Sequence, residues 1–286
     1  MRTDEINIRD PFVLVHEGKY YLYGTRGATC WGPATGFDVY YGDDLENWSA
    51  PVPCFENDGT FWADRNYWAP EVHEWKGRFY MFASFKAEGV CRGTAVLRAD
   101  TPMGPFLPLS DGPVTPAGWE CLDGTFYVSR SGQPYMVFSH EWVQADDGEI
   151  YAMPLTDDLS APAGDPVLLF RASEAPWVVG NRHEGGRITY VTDGPFLWRT
   201  TDGTLLCLWA SFGRDGYAEG LAVSDNGEID GHFAQADPLF DKDGGHGMVF
   251  RALDGELYIT LHSPNSHLDE RPRFFRLKDT GSRLSL

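Results

Sequence analysis

The sequence predicts an all-β protein folded as a five-bladed β-propeller, because of a repeat, its spacing and its strand pattern. Five copies of a short segment begin with glycine, continue as an apolar, aromatic-rich run and end near a small residue; they start at Gly18, Gly77, Gly132, Gly203 and Gly255. The copies are roughly 50–70 residues apart, a spacing typical of propeller blades. Alternating strands fill the chain between them, and helical periodicity is almost absent.

The five copies divide the chain into consecutive blades. The expected blades cover residues 8–55, 61–107, 120–170, 188–240 and 245–278. The fifth is the shortest, so we expect three strands in it and a ring closed by packing or by residues near the N-terminus. Because no linker-like stretch interrupts the repeat, residues 1–286 are expected to form a single propeller domain.

The charge of the chain argues against two classes of partner. The 286 residues include 23 basic and 42 acidic side chains, a net charge of −19, and no basic stretch interrupts the acidic excess. Such a charge repels phosphate backbones and anionic membrane surfaces, so we expect neither nucleic acid nor a membrane as partner. The aromatic content of 14% suits both β-strands and stacking on sugar rings.

The N-terminus and the cysteines bear on where the protein works. Residues 1–5 contain no apolar core of a signal peptide, and no apolar run is long enough to cross a bilayer. The 5 cysteines are odd in number and show neither metal-ligand nor redox spacing. These features together favour a reduced, cytoplasmic location.

An ionisable residue stands near the start of the strand that precedes each repeat copy. These residues are Asp10, Glu71, Asp123, Asp193 and His246. An isolated Asp-Gly or Arg-Asp pair before a strand is ordinarily a solvated turn. Here blades three and four both carry an Asp-Gly pair three residues before a phenylalanine, and Pro11 stiffens the entry to the first strand. Radial repetition is then expected to bring the five residues together around one axis.

Three carboxylates around one narrow channel cannot all ionise without mutual cost. Repulsion between like charges, together with burial, raises the pKa of at least one of them. One acid then stays protonated while another acts as a base, which is the division of labour used in hydrolysis of a glycosidic bond. A protein-interaction propeller, in contrast, has no use for acids that converge on its axis.

At these strand openings the chain resembles glycoside hydrolase family 43, whose members are five-bladed propellers. The motifs that carry the resemblance are Arg9-Asp10-Pro11, Trp68-Ala69-Pro70-Glu71, Leu122-Asp123-Gly124, Asp193-Gly194-Pro195 and Gly245-His246-Gly247. No single motif is decisive, but their order and spacing along nearly the whole chain are specific.

The resemblance implies a role for each acid. Asp10 would activate water as the general base, and Asp123 would orient the general acid and tune its pKa. The family's acid is usually a glutamate in a Glu-Gly-Pro opening of blade four, where this chain has Asp193. Aspartate is one methylene shorter, so either Asp193 lies closer to the scissile oxygen or Glu141 or Glu184 takes its place.

Further side chains at the same end of the propeller are candidates for substrate binding. Trp68 would stack on a sugar ring, although a tryptophan at this place is equally suited to the core, and Glu71 would bind sugar hydroxyls. The neighbouring loops add four candidates: Arg26, Trp31, His140 and Trp142. His246 resembles the family's axial histidine, which implies a possible structural calcium ion there, although a lone histidine is more often structural.

The acids and the resemblance together predict an inverting glycoside hydrolase that acts on short plant-derived oligosaccharides and requires no cofactor for its chemistry. An exo-acting α-L-arabinofuranosidase or β-D-xylosidase is expected, and endo-arabinanase and galactofuranosidase are the alternatives within the family. A non-catalytic carbohydrate-binding propeller is the alternative from a different class, and the aspartate of blade four is the feature that favours it.

Overall fold

The computed structural model describes residues 1–286 and confirms the all-β class and the five-bladed β-propeller. Five antiparallel sheets of four strands each are arranged around a central axis, and within each sheet the strands pair in chain order. The first strands of neighbouring blades contact one another in a closed cycle, so they form the innermost layer around the axis.

Each blade is formed from one continuous stretch of chain. Blade one contains β1 (Ile8–His16), β2 (Lys19–Arg26), β3 (Gly36–Gly42) and β4 (Val52–Glu56). Blade two contains β5 (Arg65–Trp75), β6 (Arg78–Ala87), β7 (Val90–Ala99) and β8 (Leu107–Pro108). Blade three contains β9 (Cys121–Val128), β10 (Pro134–His140), β11 (Glu149–Pro154) and β12 (Val167–Arg171).

A small hairpin separates blade three from the last two blades. The hairpin contains β13 (Asn181–Arg182) and β14 (Ile188–Thr189). Blade four contains β15 (Asp193–Arg199), β16 (Leu205–Gly213), β17 (Gly216–Ser224) and β18 (Phe233–Gln235). Blade five contains β19 (Gly245–Arg251), β20 (Leu257–Ser263), β21 (Arg271–Asp279) and β22 (Leu284–Ser285).

Helices are few and short. The one α-helix is α1 (Trp142–Ala145), and single 3₁₀ turns lie at Thr3–Glu5, Gly27–Thr29, Ala172–Glu174 and Glu184–Gly186. None of these helices has the length and apolar character needed to span a bilayer.

The apolar runs of the repeat become strands that are buried on both faces, because each blade lies between two others. In β6 every residue from Phe79 to Phe85 is buried. Phe85 packs edge-on against Phe37 and Phe55 of blade one, with ring centroids 5.8 and 5.9 Å apart. Edge-to-face packing adds to the free energy gained by burial, so these aromatic side chains help to stabilise the junction of blades one and two.

Asn66 of β5 aside, one residue near the start of every innermost strand lies in the left-handed backbone region. These residues, with φ between 47° and 56°, are Asp10, Ala69, Asp123, Gly194 and His246. At each of them the pairing with the second strand is shifted, as in a β-bulge. Glycine enters this region without cost, and aspartate and histidine tolerate it better than most residues.

The bulges correct the register that the sequence suggested. Asp10, Asp123 and His246 occupy equivalent positions. Asp193, however, lies one residue before the left-handed position of its blade, and Glu71 lies two residues after it. Because a shift of one residue changes the direction in which a strand side chain points, the five ionisable residues do not form a symmetric ring.

Small polar side chains at the ends of the second strands bind the openings of the next blades. Thr25 accepts a hydrogen bond from the amide of Ala69 at 2.7 Å, and Ser84 accepts one from the amide of Asp123 at 2.7 Å. Ser139 makes the corresponding contact by donating to a main-chain carbonyl of blade four at 2.6 Å. In blades one to three, the end of the second strand therefore joins the next blade and positions the residues at its opening.

Blade five has four strands, and not the three expected, because Leu284–Ser285 pairs with the end of β21. The ring closes through contacts with the N-terminal segment, since no strand is shared between the first and last blades. His262 accepts the amide hydrogen of Asp10 at 3.1 Å, and Arg9 donates to Glu270 at 2.7 Å. Glu270 is fully buried, so a buried ion pair holds this seam.

Replacing Glu270 with alanine should destabilise the closed ring, because the guanidinium of Arg9 loses its partner. We expect the free energy of unfolding to fall by about 3–5 kcal/mol, the usual cost of removing one member of a buried ion pair. Urea denaturation followed by tryptophan fluorescence measures the change. Asp43→Ala is the matched control, because it breaks an exposed pair with Lys19 and should cost far less. Equal losses in both variants would show that Glu270 does not hold the seam.

Candidate active site

A pocket of about 470 Å³ opens on the axis beside the left-handed strand openings. All five blades contribute to its wall. The lining residues are Arg9, Asp10, Trp31, Trp68, Arg92, Leu122, Asp123, Glu141, Trp142, Val143, Asn181, Val191, Asp193, Phe212, Tyr217, His246, Asn265 and His267. The pocket thus combines aromatic surface with carboxyl groups, which is the composition expected of a site for a small polar ligand.

Asp10 is fixed at the axis by contacts to both of its carboxyl oxygens. Thr25 donates to Oδ2 at 2.6 Å, and Nδ1 of His246 lies 3.2 Å from Oδ1. Burial by itself would raise the pKa of Asp10, but the charges of His246 and Arg9 and the hydrogen bond from Thr25 lower it below its ordinary value. Asp10 is therefore a carboxylate at neutral pH, with its orientation set from two blades.

Asp123 lies beside Asp10 and has the opposite electrostatic character. Its Oδ2 is 3.6 Å from Nδ1 of His246 and accepts the amide hydrogen of Gly194 at 3.0 Å. Burial and the negative charge of Asp10 raise the pKa of Asp123 well above its ordinary value. Gly194 is required at this contact, because a Cβ there would lie 2.7 Å from the ring of His246.

Asp193 is the most accessible of the three acids, since it is only partly buried whereas Asp10 and Asp123 are buried. The hydroxyl of Tyr217 donates to its Oδ2 at 2.9 Å. Burial and the nearby charge of Asp123 raise the pKa of Asp193 to about 7. Asp10 is ionised, whereas the raised pKa values of Asp123 and Asp193 favour their protonated forms. The three acids together therefore retain at least one proton near neutral pH.

His262 and Tyr217, which sequence reasoning missed, connect the two ends of this acid cluster. Nδ1 of His262 accepts the amide hydrogen of Asp10, and burial lowers the pKa of His262 to about 3, so the imidazole is neutral. Its ring is stacked on that of Tyr217, with centroids 5.5 Å apart and planes inclined by 21°. The signal in the sequence was the histidine that ends the last repeat copy, where other copies have small residues.

The residues around His246 do not fit a calcium site. Nδ1 of His246 is directed at Asp10 and Asp123, and no group of three or more histidine, cysteine, aspartate or glutamate side chains is arranged to hold a metal ion. Calcium prefers six to eight oxygen ligands, and the protein groups beside His246 supply too few of them to bind the ion without water.

Glu141 lies in the wall of the pocket, where it is bound to Arg92. Nε of Arg92 donates to Oε1 of Glu141 at 2.5 Å, and both side chains are about nine-tenths buried. Burial raises the pKa of Glu141, whereas the charge and hydrogen bond of Arg92 oppose this increase. Arg92 has no motif in the sequence, because it comes from β7 and meets Glu141 only in the folded ring.

Three of the tryptophans proposed for substrate binding line the pocket. Trp31 is 57% exposed and lies edge-on to Trp68, with ring centroids 5.3 Å apart. Trp142 stands on the other side of the pocket at the start of α1, stacked on His183 at 5.8 Å. Exposed aromatic faces of this kind suit the apolar faces of sugar rings.

Four residues proposed from the sequence do not line the pocket. Arg26 is bound outside it by Asp38 and Glu56, and His140 is bound by Glu149. Glu71 is buried, where it accepts hydrogen bonds from Thr125 and His73. Glu184 lies exposed in the hairpin loop and does not reach the axial acids. The remaining proposed residues do come together around the axis.

The raised pKa of Asp193 should make the free energy of unfolding depend on pH. The folded state binds this proton more tightly than the unfolded state, so the resulting stabilisation is complete below pH about 4 and is lost as the pH rises through about 7. We expect the free energy of unfolding of the wild type to fall more steeply across this window than that of Asp193→Asn, which does not titrate.

Urea denaturation at pH steps between 4 and 8 measures this difference. Asp165→Asn, which alters an exposed carboxyl group outside the pocket, should retain the wild-type slope. Parallel curves for the wild type and Asp193→Asn would contradict the raised pKa.

Comparison with known proteins agrees with this architecture. The chain matches the model of the glycosyl hydrolases family 43 over residues 5–279. A solved structure described as an endo-arabinase from Bacteroides thetaiotaomicron VPI-5482 superimposes with a TM-score of 0.90 and 41% sequence identity, covering 97% of this chain and 96% of that one.

Two curated relatives are more distant. An extracellular exo-α-(1→5)-L-arabinofuranosidase, ArbA, of Cellvibrio japonicus (strain Ueda107) is 28% identical over 176 residues, which are 56% of this chain and 46% of the relative. An extracellular endo-α-(1→5)-L-arabinanase 1 of Bacillus subtilis (strain 168) is 21% identical over 145 residues, 47% of this chain and 44% of the relative. The chain thus spans about half the length of these relatives.

The comparisons correct one expectation and confirm another. The names of both curated relatives describe extracellular enzymes, which contradicts the cytoplasmic location expected from the sequence. The match of the family model along nearly the whole chain confirms the resemblance that the strand-opening motifs suggested. The chain belongs to family 43 of the glycosyl hydrolases.

Proposed function

We propose that residues 1–286 form one catalytic domain of an inverting glycoside hydrolase that releases terminal α-L-arabinofuranosyl residues from arabinan-derived oligosaccharides. The observation that carries the proposal is the acid cluster, in which Asp10 has a lowered pKa while the pKa values of Asp123 and Asp193 are raised. Two acids with separated pKa values in one pocket are what acid–base hydrolysis of a glycoside requires.

Asp10 is the general base in this proposal. It is ionised, and its carboxylate is fixed by the hydrogen bond from Thr25 and by the contact with Nδ1 of His246. A water molecule bound to this carboxylate would therefore be oriented toward the pocket. In an inverting reaction the base removes a proton from this water as the water attacks the anomeric carbon. The neutral imidazole of His262 fixes the main chain of Asp10 without competing for the proton.

Asp193 is the general acid. Its pKa of about 7 keeps it largely protonated in weakly acidic solution, and its partial exposure gives the proton access to the leaving-group oxygen. Tyr217 orients the carboxyl group through Oδ2, and Asp123 raises its pKa by proximity. Glu141 is the weaker candidate, because the guanidinium of Arg92 favours its ionised form.

The choice of substrate rests on the names of similar proteins and on the pocket wall. An arabinofuranosidase, an arabinanase and an endo-arabinase are among them, and a terminal β-D-xylosyl residue is the alternative sugar.

The shape of the pocket bears on the mode of cleavage. All five blades surround the pocket, which favours binding of a chain end and hence exo action. Endo cleavage of arabinan is the second candidate, supported by the structure that is 41% identical. The chemistry as proposed uses no cofactor.

Hydrolysis of an aryl-glycoside panel tests the activity and the glycone together. The α-L-arabinofuranoside should be cleaved faster than the β-D-xyloside and the β-D-galactofuranoside, with the β-anomer of arabinose as the first product by NMR. Linear arabinan should yield arabinose from the start, whereas early release of longer oligosaccharides would establish the endo alternative.

The matched variant in this panel is Asp10→Asn, which keeps the shape of the site and removes the base. We expect kcat to fall by about 10²- to 10⁴-fold while oligosaccharide binding, measured by calorimetry, persists. Wild-type rates in this variant would refute the assignment of the base. Binding without turnover in the wild type would instead establish a carbohydrate-binding propeller.

Variants of Asp193 test the assignment of the acid. Asp193→Ala should reduce turnover of unactivated arabino-oligosaccharides by about 10²- to 10⁴-fold but affect 2,4-dinitrophenyl arabinofuranoside far less, because that leaving group needs no proton. Steady-state kinetics on both substrates measures the contrast. Glu141→Gln is the control, and it should change both rates by the same factor. The opposite pattern would move the acid role to Glu141.

A further inference from the structure

Arg92 occupies a buried place in the pocket wall that neither the acid cluster nor the family motifs explain. It lies near the start of β7, and only 9% of the residue is exposed. Its guanidinium carbon is 3.6 Å from the centroid of the Trp68 ring, so the charge rests on an aromatic face that also lines the pocket. Such a contact fixes the guanidinium in position and partly compensates its loss of water.

The hydrogen bonds of this guanidinium are incomplete. An arginine side chain has five N–H donors and no acceptor. In Arg92 the protein supplies an acceptor for Nε–H alone, from Glu141, and Nη1 is buried without any partner. A buried donor that lacks an acceptor costs free energy. Nη2 has no acceptor in the protein either and, unlike Nη1, it is accessible, so this nitrogen is placed to bind an oxygen atom of a ligand in the pocket.

Arg26 shows what a purely structural arginine looks like in the same protein. It lies outside the pocket and binds Asp38 through two parallel hydrogen bonds, of 2.8 and 2.7 Å, with a further contact to Glu56. A bidentate pair of this kind satisfies the guanidinium within the protein. Arg92 instead is held at one nitrogen and leaves the rest of its donor edge free beside the pocket.

We propose that Arg92 binds a hydroxyl oxygen of the sugar in the pocket and discriminates against sugars that lack this hydroxyl. The ligand atom must be an acceptor, because arginine only donates. A neutral sugar is favoured over a uronate, because four carboxyl groups share the pocket: Asp10, Asp123, Glu141 and Asp193. The inference rests on the proposed function in one respect, that the ligand is a glycoside.

Glu141 then has a role that differs from proton donation. Its single hydrogen bond to Nε fixes the guanidinium while leaving the two terminal nitrogens free, and its charge balances that of Arg92 in a buried place. A site that is built to donate hydrogen bonds to a hydroxyl rejects an analogue without it more strongly than an apolar pocket does. Arg92 and Glu141 together therefore act as a specificity element.

The test combines variants of Arg92 with deoxy sugars. Arg92→Met retains an apolar stem over Trp68, and Arg92→Lys retains the charge. For each variant, kcat/KM is measured with 4-nitrophenyl α-L-arabinofuranoside and with its 2-, 3- and 5-deoxy analogues. We expect Arg92→Met to lose about 10- to 100-fold on the parent sugar, with a smaller loss for Arg92→Lys. On the one analogue that lacks the bound hydroxyl, both losses should shrink to about threefold or less.

The controls separate binding from folding. Arg65→Met alters a second arginine of blade two that pairs with an acid outside the pocket, and it should retain wild-type values on every substrate. Near-UV circular dichroism and urea denaturation show whether the Arg92 variants retain the native fold. The alkaline limb of the pH profile of kcat/KM should stay at the same pH in the Arg92 variants, since Arg92 does not shift the pKa of the general acid, Asp193.

Three outcomes would overturn the inference. Equal losses on the parent sugar and on all deoxy analogues would show that Arg92 only supports the wall, and no loss would show that it has no role. Tighter binding of uronates than of neutral sugars by calorimetry would show the wrong ligand class. The proposed hydrolysis can fail separately: without turnover, weaker binding of neutral oligosaccharides by Arg92→Met still supports the inference, and a wild type that binds none of them refutes it.

Discussion

The geometry at the axis depends on one backbone constraint, the left-handed residue at the start of each innermost strand. A strand that entered the sheet in the ordinary extended conformation would alternate its side chains between the two neighbouring blades. A bulge interrupts this alternation in every blade, and so Asp10, Asp123 and His246 meet at the centre although they come from three different sheets. The conformation costs free energy at every residue except glycine, and the hydrogen bonds that the main-chain amides donate to Thr25, Ser84 and His262 offset that cost.

The hydrogen bonds to the axial carboxyl groups have an electrostatic consequence. Carboxyl groups so close together repel each other when ionised, and the protein separates their behaviour by giving each one different partners. Asp10 receives a hydroxyl donor and lies near positive charge, Asp123 receives one main-chain amide, and Asp193 receives a phenol. Burial raises the pKa of all three acids, and the order of the values then follows from the charges and the hydrogen-bond donors around each carboxyl group.

Much of the fold was predictable from the sequence, because the repeat, its turns and its apolar runs are local signals. The axial acids were also predictable, since their motifs precede each repeat. The exact register was not: a bulge moves Asp193 and Glu71 to different positions, and nothing in the local pattern indicates how far. The pair of Arg92 and Glu141 was missed because the two residues are far apart in sequence and lie on different blades. The fourth strand of blade five was missed because it is only two residues long.

The seam between the first and last blades links the two ends of the chain to the centre of the molecule. Asp10 belongs to the first blade of the ring, whereas His246 and His262, which contact it, belong to the last. Four blades without the fifth therefore contain all three axial acids, but Asp10 then keeps its hydrogen bond from Thr25 and lacks its contacts with His246 and His262. The axial site is thus complete only when the fifth blade has packed against the first.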